Sequence, residues 1–350
     1  FANSKIVIGN KNKEGFELLD YRILKNSEGV YDFEGRLNVN EAVTQLSTAV
    51  NDLGAVRKKC YLTISSPKSI VRNRIFPFVN KKDLDAMVKI EAEQILPYDV
   101  DSFYIDYRVL GIEETAADKS LNVMVVAVPK ELIDEAVDLV ERCKMKLECV
   151  NVLVDSIYSF KEFCESSTEE NVLVADIGYN YLRMIAFRDK AYFANINSEN
   201  GVKSFGDFYK EQYGIPEEAL YDYMFRGADL PSDVKKHLKE EDHQKDFASL
   251  SFSNGTFEIN DEDEEIEDEF KLNYTPIIEE IHKMLGYYRS RKYGSQVDKI
   301  LLCGGGASAK GLKEAIANDT SIQTAFMMCQ HKENNMDTLL LTAAIGGILR

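Results

Sequence analysis

The sequence has little of what marks a metal centre, a disulfide framework or a membrane span. Its six cysteines, at 60, 143, 149, 164, 303 and 329, form no Cys-x-x-Cys pair. Several lie inside apolar runs such as 300–303, so they read as reduced core residues. The four histidines, His237, His243, His282 and His331, show no metal spacing. No apolar run approaches the roughly 20 residues of a membrane span, and no signal peptide is visible. Basic charge is short as well. There are 42 Lys and Arg against 59 Asp and Glu, a formal net charge of −17. That argues against a nucleic-acid groove and against direct binding to anionic lipid, both of which attract basic surfaces. A basic peptide suits the charge better. Neither a Walker Gly-x-x-x-x-Gly-Lys-Ser/Thr nor a Rossmann Gly-x-Gly-x-x-Gly is present. No Ser/His/Asp arrangement and no pair of catalytic carboxylates stands out.

What is there is a long α/β chain. At 350 residues it exceeds one ordinary core, and two or more subdomains are expected. Residues 4–9 and 16–24 read as strands, with a third near 29–33. A helix over 38–53, capped at Asn40, carries Ala42, Val43, Leu46 and Val50 on one stripe. Strands return at 59–65 and 70–76. Pro77-Phe78-Val79-Asn80 is a boundary signal. Beyond it come a helix over 81–96 stopped by Pro97, a strand over 104–110, a polar loop over 111–120, a strand over 121–128, a helix over 130–143 and a strand over 147–154. Residues 79–150 therefore read as a small α+β unit inserted into the first one.

Two corners of the second half carry the chemistry. The strand 171–175 runs into Asp176-Ile177-Gly178-Tyr179-Asn180-Tyr181 and returns as the strand 182–187. The strand 300–303 runs into Gly304-Gly305-Gly306-Ala307 and then a helical pattern. Glycine lets a backbone approach a flat or anionic ligand, and backbone amides at such tips cradle phosphate. Adenine would lie over Gly304, Gly305 and Gly306; the alternative is a tight turn with no ligand. Asp176 would hold Mg²⁺ through water. Asp155 has two readings: it orients an attacking water, or it caps a helix. The opening residues 1–8 read as the second half of a similar hairpin, with Lys5 just after its turn. An internal duplication is expected, with the first half of that hairpin upstream of Phe1. Residues 205–250 read as polar and mostly helical. In the run 261–269 eight of nine residues are acidic, a solvated loop or a docking tail for a basic partner. Long helices follow over 276–291 and 337–349.

Together these features resemble the actin-like ATPase superfamily, and within it the PilM family of type IV pilus assembly proteins, relatives of FtsA. The residues that carry the resemblance are Arg74-Ile75-Phe76-Pro77-Phe78, Lys89-Ile90-Glu91-Ala92-Glu93-Gln94-Ile95-Leu96-Pro97-Tyr98 and Asp106-Tyr107-Arg108-Val109-Leu110. Val126-Ala127-Val128-Pro129-Lys130, Tyr287-Tyr288-Arg289 and residues 303–307 add to them.

The resemblance implies an actin-like, ribonuclease-H-like fold of two lobes with an inserted α+β subdomain 1C. Subdomain 1A would span 1–78 and 151–170, with 1C at 79–150. Subdomain 2A would span 171–205 and 297–335, with 2B at 206–296 and a C-terminal helix over 336–350 returning to the first lobe. ATP with Mg²⁺ would sit between the lobes, on Lys5, Asp176, Gly178, Tyr179, Asn180, Gly304, Gly305, Gly306 and Ala307, with Lys283 toward the ribose. The protein would be cytoplasmic and held at the inner membrane by the N-terminal tail of a PilN-like protein. Phe78, Glu93, Tyr98 and Asp99 are the candidates for that contact; helix and strand packing is the alternative for each. The pilus assembly ATPases and further copies of the chain would be other partners. Family members usually carry an Arg and a Gly-Gly step after the second hairpin. Residues 193–201 lack it, which bears on hydrolysis more than on nucleotide binding. An FtsA-like filament former and an active ATPase or kinase on the same fold are the competing readings.

Overall fold

The structure is a computed structural model that describes residues 3–12, 15–27, 29–31, 36–96, 99–114, 118–164, 171–227, 272–291, 296–328 and 337–350. Tyr98, the acidic run 261–269, His237, His243, His331 and Cys329 lie outside the described residues.

The chain opens with the antiparallel hairpin β1 (Asn3–Asn12) and β2 (Gly15–Lys25). The third strand expected near 29–33 is reduced, among the described residues, to one bridge between Tyr31 and Leu37. Helix α1 (Val39–Asp52) is capped by Asn38, whose side chain accepts from the Glu41 amide. The cap expected at Asn40 is two residues off. Asn40 is already helical, and its Oδ1 accepts from Arg142 instead. Strand β3 (Lys59–Ile64) follows.

Strand β4 (Ile70–Pro77), helix α2 (Lys81–Ile95), strand β5 (Phe103–Glu114) and strand β6 (Lys119–Pro129) then form one unit. The strands make an antiparallel sheet in the order β4-β6-β5. Its core is Phe76, Leu121, Val123 and Val125 against Leu84 and Val88 of α2. The α2 stripe is the one the helical spacing predicts. The polar loop expected over 111–120 is mostly strand, because a bulge at Val109–Gly111 lets β5 run on to Glu114. Helix α3 (Lys130–Arg142) packs on α1 around Leu139 and Val50, and strand β7 (Lys146–Val152) pairs in parallel with β3. By sheet pairing, then, β4 belongs with the inserted strands and β7 with the first lobe.

Helix α4 (Leu153–Cys164) connects the halves and is buried along most of its length. The second lobe is one five-stranded sheet. It contains β8 (Val172–Ile177), β9 (Leu182–Arg188), β10 (Ala191–Ser198), β11 (Lys299–Cys303) and β12 (Gln323–Phe326), ordered β10-β9-β8-β11-β12. Strands β8 and β11 are near-continuous apolar runs because both faces are covered. Leu173, Ala175, Ile300 and Leu302 face α5 (Val202–Tyr213), α6 (Glu217–Arg226) and α7 (Thr275–Arg291). Val172, Val174, Leu301 and Cys303 face α4 and, after α8 (Leu312–Thr320), the last helix α9 (Asp337–Leu349). The first lobe repeats the outer pairs of this sheet, as antiparallel β1-β2 and parallel β3-β7.

Candidate functional site

A cleft of about 1190 Å³ opens between the lobes. Its mouth is lined by Lys5, Asp176, Arg183, Gly305 and the turn Gly178–Tyr181, with Tyr221 and Phe225 of α6 on one side. It continues into the first lobe between β1 and β3, past Ile6, Ile8, Leu62 and Ile64.

The glycine corner ends β11, and its three glycines do different things. Gly304 has φ +87°, a conformation that L side chains rarely adopt. A β-carbon there would overlap Asp176 Oδ1 and stand 2.6 Å from the Ile177 carbonyl oxygen. At Gly306 a β-carbon would stand 2.5 Å from Val202 Cγ2 and 2.6 Å from Ile177 Cγ2, and the Gly306 amide donates to the Ile177 carbonyl at 2.7 Å. These two glycines let β11 close on the end of β8. Gly305 is the exposed one: the nearest atom to its β-carbon position is Leu340 Cδ2 at 3.4 Å. Ala307 is fully buried and does not line the cleft.

Beside the glycine corner, on the same side of the cleft, is the β8-β9 turn. The Gly178 amide donates to the Tyr181 carbonyl at 2.9 Å, which closes the turn. The carbonyls of Gly178 and Tyr179 accept from the Val202 and Lys203 amides at the start of α5. Tyr179 donates its hydroxyl to Glu217 Oε1 at 2.6 Å, and burial together with that carboxylate pushes its pKa up to about 12. The turn is thereby fixed to both α5 and α6. The amides left to meet an anion are those of Tyr179 and Asn180.

Around these two corners sit three charged groups. Asp176 pairs with Arg183, directly opposite on β9, at 3.5 Å from Nη1 to Oδ2; each side chain is only 13% exposed. Lys5 reaches in from β1 and donates to the Leu340 carbonyl of α9 at 2.6 Å. Burial lowers its pKa, and the nearby Asp176 carboxylate opposes that shift. The spacing of Asp176 and Arg183 around a tight turn was a readable signal for this pair, since the hairpin register sets them face to face.

The family profile described as "Type IV pilus assembly protein PilM" matches residues 3–241 and 256–344. The chain belongs to this family. A solved structure described as a PilM-PilN type IV pilus biogenesis complex superposes with a TM-score of 0.72 at 14% identity, over 100% of this chain and 95% of that one. The ethanolamine utilization protein EutJ of Carboxydothermus hydrogenoformans gives 0.50 at 10% identity, over 99% of this chain and 85% of the other. No curated protein sequence matches the chain. The fold is the actin-like one that the motifs imply.

In this PilM family member, the remaining expected site residues are not on the cleft. Asp155 lies in the first turn of α4 with its side chain only 4% exposed, bonded to Arg108 Nη1 at 2.9 Å and to Arg350 Nε at 3.0 Å. Both arginines come from distant sequence. It is neither the residue before the helix nor a group facing the cleft. Lys283 is exposed on α7 and pairs with Glu280 at 2.7 Å, away from the lining.

The partner candidates are also dispersed. Phe78 stands at the end of β4, half exposed, with Lys119 Nζ 4.6 Å above its ring. Glu93 is exposed near the far end of α2, and Asp99 follows it, accepting from the Asp101 amide at 3.0 Å. A 15-residue helix is roughly 22 Å long, so Phe78 and Asp99 flank opposite ends of α2. Sequence reasoning missed Ile90, Val109 and Ile112, which are 57%, 44% and 54% exposed. Val109 and Ile112 pair with Val123 and Leu121, so they share the sheet face that packs on α2. The bulge in β5 carries the strand beyond its predicted end and creates this strip.

A nucleotide fits the cleft: Gly305 offers a bare backbone, and Lys5, Arg183 and the turn amides supply positive charge beside it. Mg²⁺ has less to meet. Among the described residues no group of three or more His, Cys, Asp or Glu could hold a metal, and Asp176 is already paired.

Proposed function

We propose that this PilM family member is an assembly adaptor of the type IV pilus machinery, binding ATP between its lobes and the cytoplasmic tail of a PilN-like membrane protein on its inserted sheet. The observation that carries the nucleotide half is the pairing of an exposed Gly305 floor with the cationic mouth at Lys5 and Arg183. The adenine would lie on the Gly305 side, and the phosphates would meet Lys5, Arg183 and the amides of Tyr179 and Asn180. Tyr221, 45% exposed in the cleft wall, offers a ring for the base.

The partner half rests on membership of the family and on likeness to a PilM-PilN complex. We assign the subdomain 1C role to β4, α2, β5 and β6, and the docking surface to the exposed apolar strip Val109 and Ile112 of β5. Apolar residues on the tail would cover the strip, and a basic flank would meet the acidic surface. Among the described residues no helix is long and apolar enough to cross a membrane. In this reading the protein sits at the cytoplasmic face of the inner membrane through its partner. The pilus assembly ATPases and further copies of the chain are the other partners of the adaptor.

Turnover is at most slow in this reading, because Asp155 is locked in an ion network off the cleft. Calorimetry of the protein with a synthetic PilN N-terminal tail, with and without ATP, tests the proposal. Saturable 1:1 binding of the tail supports it; a folded protein that takes up ATP but gives no heat with the tail refutes the adaptor half.

A further inference from the structure

We propose that Arg183 is a built-in counter-ion that lets the cleft bind nucleotide phosphates without a divalent metal. The inference rests on the nucleotide reading of the same cleft. Its ground is how the Asp176 carboxylate is surrounded. Oδ1 fills the space where a β-carbon on Gly304 would stand. Oδ2 faces the Arg183 guanidinium at 3.5 Å. Oδ2 is already paired, and the side chain is 13% exposed. A hydrated Mg²⁺ needs room for its water shell and near-ideal octahedral geometry. Reaching Asp176 would require it to displace a guanidinium, in a space where Lys5 already adds a second positive charge.

Arg183 is better placed for phosphate than for its own carboxylate. The 3.5 Å contact is at the long end of a hydrogen bond and uses Nη1 alone. A guanidinium carries five N–H donors in a planar fork that matches phosphate oxygens. The Tyr181 ring, 5.2 Å from the guanidinium carbon, holds the group from behind. Lys5 comes from the first lobe and Arg183 from the second, so an anion bound to both would draw the lobes together. Asp176 then orients Arg183, a positioning residue and not a metal ligand.

The test is ATP titration by calorimetry in EDTA and again in Mg²⁺. It uses the wild-type chain, Arg183→Gln and Asp176→Asn, with circular dichroism and urea melts confirming that each is folded. The wild type is expected to bind with affinities within about threefold in the two conditions. Arg183→Gln should lose roughly tenfold or more in EDTA and recover part of it in Mg²⁺, because Asp176 is released. Asp176→Asn should lose less affinity in EDTA than Arg183→Gln does, since the guanidinium remains and only the carboxylate that orients it is gone. A wild type that binds only with Mg²⁺, or an Arg183→Gln variant that binds as the wild type does in EDTA, overturns the inference while leaving the nucleotide reading intact. No ATP or ADP binding in either condition overturns both.

Discussion

The carboxylate of Asp176 rests on the α-carbon of Gly304, so that the end of β8 and the corner after β11 close at atomic contact. The neighbouring Gly305 touches nothing comparable. The two positions should therefore respond differently to the same change. Gly304→Ala combines a positive φ with overlap on backbone and carboxylate, and should cost about 2–4 kcal/mol of stability. Gly305→Ala should change stability by less than about 1 kcal/mol while weakening ATP binding, because its new methyl group enters the floor of the cleft. Urea melts and calorimetry on both variants check this. An equal stability loss at the two positions would contradict the division of roles.

Lys5 makes nucleotide affinity depend on pH. Burial holds its folded pKa below the ordinary lysine value of 10.5. An anion bound beside it restores the charged form, so binding takes up protons and weakens as pH rises through that lowered pKa. The sign for stability is opposite. While Lys5 is protonated in both states, its burial costs stability; the cost fades as pH rises from the folded pKa toward 10.5. Lys5→Met should thus raise the unfolding midpoint at neutral pH, remove the alkaline loss of affinity, and lower affinity itself. Titrations from pH 7 to 10 with both chains measure all three.

Asp155 is predicted to be structural. Its removal leaves Arg108 and Arg350 without their shared carboxylate, although each is more than a quarter exposed and regains water. Asp155→Ala should lose about 2–3 kcal/mol, and ATP affinity measured on the folded fraction should stay within about twofold. A phosphate-release rate that collapses without any loss of stability would return Asp155 to a catalytic role.

Gly346 lets α9 lie on α4. A β-carbon there would run into the Ser156 carbonyl, with the carbonyl carbon at 2.7 Å and Phe160 Cβ at 3.2 Å. The obstacle is backbone inside a buried helix pair, so nothing flexible can move aside. Gly346→Ala should destabilise by about 3 kcal/mol or prevent folding. Since α9 also supplies the Leu340 carbonyl that anchors Lys5, milder loss should come with weaker nucleotide binding. Thermal melts with and without ATP would show a reduced ligand-induced shift.

The strip beside α2 separates partner binding from nucleotide binding. Ile112→Asp adds charge to an exposed apolar residue and should leave stability within about 0.5 kcal/mol. Tail affinity should fall tenfold or more if Ile112 lies in the buried centre of the contact, with ATP binding unchanged. Phe78→Ala, across the sheet from Ile112 just past the end of β4, should have the smaller effect; the reverse order would move the docking surface to Phe78.

Most of the architecture could be read from local pattern. The stripe of α2, the buried runs of β8 and β11 and the glycine corner are short-range signals, legible because helix and strand periods impose them. The cap of α1 fell at Asn38 and not Asn40 because both residues are competent and only the chain path from Val30, whose carbonyl accepts the Asn38 amide, selects one. The bulge in β5 left no comparable mark, since Gly111 reads equally as a loop.

The sequence by itself determined the family, the order of the elements and the two corners that line the cleft. The motifs are contiguous and their residue types are demanded by backbone geometry. The tertiary structure decided what each side chain there does. It set Gly305 facing the cleft and Gly304 under Asp176, drew Arg108 and Arg350 onto Asp155, and paired Arg183 with Asp176. Those outcomes depend on atoms brought together from strands and helices far apart in the chain, and packing, not sequence neighbourhood, fixes which of them meet.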